Sequence, residues 1–111
     1  MRLVSGKALV TGGSRGIGRA VALKLAAEGA DVVISYHKNA TAAQEVVKAV
    51  AALGRRSSAI QADTSSASDV ERMVVEAEAF LGGFTILVNN AGVLKRTPFL
   101  ELTETEWDTI V

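Results

Sequence analysis

Short apolar runs alternate with longer segments of helical periodicity along this chain, and that alternation limits its fold more than any other feature. The apolar runs are rich in Val, Leu and Ile and carry few charges, as buried strands do. They cover residues 7–11, 31–36 and 84–88, and residues 57–62 give a weaker strand pattern. The segments between them place apolar residues at helical spacing. They cover residues 17–28, 40–53 and 67–81, and a further helix is expected to begin at Thr103.

Repeated helical crossovers between successive strands require a parallel sheet with helices on both faces. Because such crossovers are right-handed, only doubly wound topologies remain. We therefore predict an α/β fold, the N-terminal half of a three-layer Rossmann-type doubly wound parallel sheet with strand order 3-2-1-4. A flavodoxin-like order is the alternative. In the predicted order residues 84–88 would form a hydrophobic open edge, which favours aggregation or pairing with another chain.

The helical segments also predict which side chains are buried and how one helix begins. The first helix is expected to bury Ile17, Ala20, Val21 and Leu25. The second is expected to bury Ala43, Val46, Val47, Val50 and Leu53. Two capping boxes are available at the start of the third helix, Ser66 with Asp69 and Ser68 with Glu71.

Composition excludes several classes of function. The chain has 12 basic and 12 acidic residues, so its formal net charge of zero argues against charge-driven binding to nucleic acid or anionic membrane. No segment approaches the roughly 18 apolar residues of a membrane span, and the N-terminus lacks the pattern of a secretory signal. There is no cysteine for a disulfide or a thiolate metal site. We expect a cytoplasmic protein that binds no metal.

The turn after the first strand carries glycines with the spacing G-x-x-x-G-x-G. Gly12 would permit a tight exit from the strand, Gly16 would let a bulky anion approach the backbone, and Gly18 would let the helix pack closely on the sheet. The free N–H groups and positive dipole end of the following helix favour a pyrophosphate. A structural turn without a ligand is the alternative. A flavodoxin-like FMN or receiver protein would need a Ser/Thr-rich loop or an acidic cluster here, and the glycine spacing fits neither.

Two motifs at a characteristic separation resemble those of the short-chain dehydrogenase/reductase family. The first is Thr11-Gly12 followed by Gly16-x-Gly18, and the second is Asn89-Asn90-Ala91-Gly92 at the end of the fourth strand. Residues 102–110 are similar to the family's next helix. The resemblance covers essentially the whole chain, and it is nearest to the classical branch that includes 3-oxoacyl-[acyl-carrier-protein] reductases and glucose dehydrogenases.

This resemblance implies three groups of contacts to a dinucleotide. The pyrophosphate and its ribose would be contacted around the glycine turn by Gly12, Ser14, Arg15, Gly16, Ile17 and Gly18. The adenine end would be contacted by Tyr36, His37, Asp63 and Thr64, with Asp63 accepting from the adenine amino group. The ribose beside the nicotinamide would be lined by Asn90, Ala91 and Gly92. Read without the resemblance, Asp63 is a turn aspartate that caps the next helix, and the two asparagines are ordinary turn residues.

The end of the second strand favours NADP(H) over NAD(H) as the cofactor. Sites selective for NAD usually place an acid there to bind the ribose hydroxyls, and residues 34–38 contain none. Arg15, with His37 and Lys38 nearby, would pair with a 2′-phosphate. The resemblance points the same way. The alternative is that Arg15 and Lys38 are solvated surface charges.

The implied reaction is hydride transfer between the nicotinamide and a carbonyl or secondary alcohol, with a Tyr general acid/base four residues before a Lys. The single tyrosine, Tyr36, has Ala40 at that distance, so no catalytic residue can be named. By register, the family's catalytic residues would fall beyond Val111. We therefore expect residues 1–111 to be a partial NAD(P)-binding domain that is inactive alone, within a homodimeric or homotetrameric enzyme. A non-catalytic nucleotide-binding module ending at residue 111 is the alternative.

Overall fold

A parallel five-stranded sheet with helices on both faces organises the computed structural model, which describes residues 6–14, 16–89 and 100–102. The strands are β1 (Lys7–Val10), β2 (Asp31–Tyr36), β3 (Ser57–Gln61), β4 (Ile86–Val88) and β5 (Leu100–Leu102). The helices are α1 (Gly16–Ala27), α2 (Ala40–Ala52) and α3 (Ala67–Leu81). The helix expected from Thr103 lies outside the described residues. Among the helices described, none is long and apolar enough to cross a membrane.

The strand order is β3-β2-β1-β4-β5, which confirms the predicted 3-2-1-4 arrangement. β1 pairs in parallel with β2 on one side and with β4 on the other. A flavodoxin-like sheet would instead place β1 between β2 and β3. The doubly wound dinucleotide-type topology is therefore the correct one.

The expectation of an open edge at the fourth strand is wrong. β5 pairs in parallel with β4 and covers that edge, with Ile86 opposite Leu100 and Val88 opposite Leu102. The Leu-Glu-Leu segment is only three residues long, too short for an alternating pattern to distinguish it from the loop or helix beside it. β4 itself is also shorter than expected, because Phe84 lies before the strand.

Two apolar layers enclose the sheet, since successive side chains of a strand point to opposite faces. On one face Ala8 and Val10 join a buried cluster built with α1 and α2. On the other face Leu9 joins a cluster built with α3. Side chains of β1 therefore contribute to the clusters on both faces, and its three apolar residues are fully buried.

The buried face of α1 differs from the expected one. Its buried residues are Gly18, Val21, Ala22, Leu25 and Ala26. Ile17 is 50% exposed and Ala20 is also exposed, so both expectations are wrong. The alanines of α1 lie on several sides of the helix. An apolar pattern rich in alanine is therefore compatible with either of two adjacent buried faces.

The other helices follow their predicted faces with smaller corrections. In α2, Ala43, Val46 and Val50 are buried, whereas Leu53 follows the helix and is 49% exposed. The start of α3 uses the first of the two candidate caps. Ser66 is the N-cap, and its hydroxyl accepts a hydrogen bond from the backbone N–H of Asp69 at 3.4 Å.

Gly13 is required by packing between the first turn and β2. A Cβ atom at this position would lie 2.6 Å from Ile34 Cγ2 and 2.7 Å from Ile34 Cβ, both deep in the core. Neither atom can move without shifting the strand. Sequence reasoning assigned roles to Gly12, Gly16 and Gly18 but none to Gly13.

We predict that Gly13→Ala lowers the free energy of unfolding by about 1–3 kcal/mol, the usual cost of overpacking a rigid core. Chemical denaturation with a two-state fit measures this. We expect the same loss when Gly13→Ala is introduced into an Ile34→Val variant, because valine keeps the Cβ atom and the Cγ2 methyl group that crowd this position. An unchanged denaturation midpoint for Gly13→Ala would show that the turn can move away from β2.

Candidate functional site

The carboxyl ends of the strands meet at one edge of the sheet, and the predicted site residues that the structure describes lie there. β1 and β2 are aligned so that Val10 lies opposite Ile34, and β2 and β3 so that Tyr36 lies opposite Gln61. The glycine turn, residues 36–39 and residues 62–65 therefore leave the sheet on the same side. In doubly wound sheets this edge, next to the strand where the order reverses, is where ligands bind.

Two backbone N–H groups of the glycine turn are held by one residue of β2. Gly12 N–H donates to Ser35 Oγ at 3.2 Å, and Gly13 N–H donates to the Ser35 carbonyl oxygen at 3.0 Å. Gly12 and Gly16 have φ values of +65° and +61°, a backbone region that side chains other than glycine's rarely adopt. A Cβ at Gly16 would meet no protein atom within 4 Å, so this side of the turn is open.

A buried threonine joins the glycine turn to β4. Thr11 N–H donates to the Val88 carbonyl oxygen at 3.0 Å. Thr11 Oγ1 lies 3.3 Å from the same oxygen and 3.4 Å from Asn89 Oδ1. This places the start of the Asn-Asn-Ala-Gly segment beside the glycine turn. Asn90, Ala91 and Gly92 lie outside the described residues, as does Arg15.

A cavity of about 670 Å³ opens at this edge between the glycine turn and the end of β2. It is lined by Gly12, Ser14, Tyr36, His37, Lys38 and Asn39. Four of the predicted cofactor residues therefore share one cavity. Its lining carries the cationic Lys38 and the imidazole of His37, with no carboxylate among these six residues. The half-exposed Ile17 and the buried Gly18 lie nearby in the first turn of α1.

Asp63 is held in a tight turn after β3. Its Oδ1 accepts hydrogen bonds from Ser65 N–H at 2.9 Å and from Ser65 Oγ at 2.6 Å, while Oδ2 lies 3.9 Å from His37 Nε2. These hydrogen bonds, with smaller contributions from His37 and Lys38, hold the pKa of Asp63 below its usual value. Thr64 is the next residue of this turn and is half-buried. The hydrogen bonds with Ser65 show that Asp63 is a turn aspartate, as the alternative prediction had it. Its further part, that Asp63 caps the next helix, is wrong, because Ser66 is the N-cap of α3.

The turn that carries Asp63 is anchored to α3 and to β2. Asp69 Oδ2 accepts a hydrogen bond from Asp63 N–H at 2.9 Å. In a capping box this carboxylate would accept from the backbone N–H of Ser66 instead. Arg72 Nη2 donates to the Gln61 carbonyl oxygen at 2.6 Å and lies 3.8 Å from Asp69 Oδ2. Gln61 Nε2 in turn donates to the His37 carbonyl oxygen at 3.1 Å. The ends of β2 and β3 are thus tied together beside the cavity.

Sequence reasoning missed three residues that shape this edge. Ser35 and Gln61 act through hydrogen bonds, and Asn39 lines the cavity while its side chain caps α2 by accepting from Ala42 N–H at 2.9 Å. A helix-capping residue just before α2 was a usable signal for Asn39. A serine inside the otherwise apolar β2 was a signal for Ser35, because a buried hydroxyl needs a partner.

Comparison with known proteins decides the family. The model of a family described as short chain dehydrogenase matches residues 6–111. The chain belongs to this family. Short-chain dehydrogenases are oxidoreductases that use NAD(P), and the predicted family and fold are confirmed.

Similar curated proteins are reductases. The chain is 42% identical over 104 residues to the 3-oxoacyl-[acyl-carrier-protein] reductase FabG of Staphylococcus epidermidis, covering 94% of this chain and 43% of that protein. It is 44% identical over 108 residues to the hydroxynaphthalene reductase arp2 of Aspergillus fumigatus, covering 96% and 40%. The chain therefore spans about two fifths of the length of these relatives.

A similar solved structure contains a dinucleotide. A short chain dehydrogenase from Burkholderia cenocepacia, crystallised in complex with NADP, is 50% identical with a TM-score of 0.80, over 97% of this chain and 44% of that one. A dehydrogenase/reductase from Sinorhizobium meliloti is 43% identical with a TM-score of 0.79, over 98% and 43%. Within the part of the chain that the structure describes, no group of three His, Asp or Glu residues is placed to hold a metal ion.

We predict that Ser65→Ala raises the pKa of the Asp63 carboxyl toward its ordinary value, because the Ser65 hydroxyl bond is the largest cause of the lowering. A lowered folded-state pKa stabilises the fold above the unfolded pKa of about 4, and that stabilisation is lost as the pH falls through the folded pKa. The stability difference between wild type and Asp63→Asn should therefore shrink in acid. Carboxyl-carbon NMR titration measures the pKa.

Ser68→Ala is the matched control, since Ser68 forms its hydrogen bond with Ser66 and not with Asp63. It should leave the Asp63 titration unchanged. An Asp63 carboxyl that titrates at the same pH in wild type and Ser65→Ala would contradict the assigned cause.

Proposed function

We propose that this chain is the cofactor-binding part of an oxidoreductase that transfers a hydride between NADP(H) and a carbonyl compound or secondary alcohol. The observation that carries the proposal is the cavity at the carboxyl edge of the sheet. It is bounded on one side by the glycine turn and on the other by the polar end of β2. A dinucleotide needs both a pyrophosphate cradle and a ribose-binding strand end, and the position of this cavity supports the proposal that it serves as both.

The pyrophosphate is proposed to lie at the start of α1. This helix begins at Gly16 and has 12 residues, so the free N–H groups of its first turn and its dipole favour an anion. The open space beside Gly16 leaves room for the phosphate groups. Ser14, Arg15 and Ile17 are assigned to the same end of the cofactor, and the exposure of Ile17 is compatible with contact to a ligand.

The preference for NADP(H) is proposed from the charges at the end of β2. Lys38 lines the cavity together with His37, and no acid takes the place that would hold a ribose diol. A 2′-phosphate carries negative charge and several acceptor oxygens, which suit a lysine and an arginine. Arg15 is assigned to this phosphate from its position in the glycine turn. The relative from Burkholderia cenocepacia was crystallised with NADP, which supports the same choice.

The remaining assignments follow the family pattern. Asp63 and Thr64 are proposed to contact the adenine, with Oδ2 of Asp63 on the side that faces His37. Asn90, Ala91 and Gly92 are proposed to line the ribose beside the nicotinamide. The bound cofactor would supply the hydride, and this chain would orient it.

We propose that the proton for carbonyl reduction comes from a part of the whole protein outside these residues. The only tyrosine, Tyr36, lines the cavity at the end of β2 and has no lysine four residues on. We therefore expect the purified 111-residue chain to be inactive toward carbonyl substrates. The whole protein is proposed to be a homodimer or homotetramer, as the family resemblance implies.

We predict that Gly16→Ala weakens NADPH binding at least about tenfold, because the new methyl group would occupy the open side of the turn that the pyrophosphate needs. Fluorescence titration of NADPH with the whole protein measures this. Gly83→Ala is the matched control. Gly83 also has a positive φ, +98°, and no atom near its Cβ position, but it follows α3 at the other end of the sheet. Equal weakening by both variants would mean that backbone strain, and not the cofactor site, is responsible.

We predict that Arg15→Ala lowers the affinity for NADPH about tenfold or more while changing the affinity for NADH little, since a charge-assisted hydrogen bond contributes about 1.5–3 kcal/mol. Titration of the whole protein with both cofactors provides the comparison. Lys48→Ala removes the same charge from the exposed face of α2, away from this cavity, and should change neither affinity. If Arg15→Ala weakens NADH binding as much as NADPH binding, the NADP(H) assignment is wrong.

A further inference from the structure

Ser35 is a buried polar residue near the carboxyl end of β2, a strand that is otherwise apolar in its interior. Its relative exposure is 1%, and its strand neighbours Val33 and Ile34 are fully buried. Placing a hydroxyl here costs free energy unless it forms hydrogen bonds, so an apolar residue would suit the core better. The serine therefore requires an explanation beyond packing.

Two hydrogen bonds of Ser35 reach the glycine turn. Its Oγ accepts from Gly12 N–H at 3.2 Å, and its carbonyl oxygen accepts from Gly13 N–H at 3.0 Å. The Ile34 side chain packs beneath Gly13 so tightly that no Cβ fits between them. β2 thus holds two consecutive residues of the turn through the backbone and side chain of one residue.

The same strand leads directly into the other wall of the cavity. Tyr36, His37 and Lys38 follow Ser35 in sequence, and all three line the cavity with Gly12. A displacement of the turn relative to β2 would change the distance between the proposed pyrophosphate site and the proposed 2′-phosphate site. The Ser35 contacts fix that distance.

We propose that Ser35 is a positioning residue for the dinucleotide, setting the spacing between the glycine turn and the end of β2 through its bonds to Gly12 and Gly13. The inference rests on the proposed function of this cavity. Ser35 does not line the cavity, so it acts through the turn. Only the Oγ hydrogen bond can be removed by substitution, because the hydrogen bond from Gly13 N–H to the backbone carbonyl of residue 35 is retained in every variant.

Ser57 offers a matched comparison for this role. Its hydroxyl also forms a strand-to-strand hydrogen bond, donating to the Val32 carbonyl oxygen at 2.7 Å. It lies at the start of β3, at the amino ends of the strands, whereas the cavity lies at their carboxyl ends. Ser57→Ala therefore removes a comparable bond without touching the turn.

The experiment compares Ser35→Ala, Ser35→Thr and Ser57→Ala in the whole protein. Melting temperature, the Kd of NADPH and hydrogen exchange at the Gly12 amide are measured for each. We expect Ser35→Ala to raise the Kd of NADPH about three- to tenfold, in keeping with the loss of one hydrogen bond, and to speed exchange at Gly12. Ser35→Thr retains the hydroxyl and should restore both values. Ser57→Ala should lower the melting temperature without changing the Kd.

Steady-state kinetics of the whole enzyme gives a second readout. Ser35→Ala should raise the KM for NADPH and leave the KM for the carbonyl substrate unchanged. Three results would overturn the inference. One is an unchanged Kd together with faster exchange at Gly12, the second is equal weakening of NADPH binding by Ser57→Ala, and the third is exchange at Gly12 that does not respond to Ser35→Ala.

A failure of the proposed function gives a different result. In that case the wild-type protein would bind neither NADPH nor NADH, while Ser35→Ala would still speed exchange at Gly12. The exchange measurement thus separates the local role of Ser35 in the turn from the identity of the ligand.

Discussion

The pairing of β1 with a strand on each side determines where every candidate functional segment lies. β1 is the central strand, and its parallel pairing with β2 and β4 aligns the carboxyl ends of all three. The turn after β1 consequently leaves the sheet between the end of β2 and the segment that begins at Asn89. Because helices pack on both faces, the turns at this edge, including the one that leads into α1, can present backbone N–H groups to a ligand.

Hydrogen bonds from the neighbouring strands then make this edge rigid. Thr11 bonds to β4, Gly12 and Gly13 bond to Ser35 on β2, and Gln61 ties the end of β3 to His37. Each contact fixes one wall of the cavity to a strand whose own position is set by the core. A site that must hold a long, flexible dinucleotide gains affinity from walls that do not need to be ordered on binding.

Much of this arrangement could be predicted from the sequence, because it depends on periodicity and on glycine. Buried parallel strands are continuous apolar runs, so β1 and β2 were evident, and crossover handedness limits the sheet to doubly wound topologies. Tyr36 and His37 lie at the end of β2 and line the cavity, and their contact with a cofactor stays a prediction. What failed were weak local signals. Ile17 and Ala20 were assigned to the wrong side of an alanine-rich helix, and the three-residue β5 carried too little pattern to be recognised.

The contacts of Ser35 and Gly13 could not be predicted, because they depend on which atoms two strands bring together. The sequence shows a serine in an apolar strand and a second glycine in a turn, but only the register of β1 and β2 places one beside the other. The network around Asp63 is of the same kind. Asp69 and Arg72 read as ordinary helix-surface charges, yet they hold the turn that presents Asp63, and the carboxylate is left with one oxygen bound by Ser65 and the other facing His37. The hydrogen bonds from Ser65 favour the ionised form of this carboxyl, so the turn holds a negative charge in a fixed place beside the end of β2.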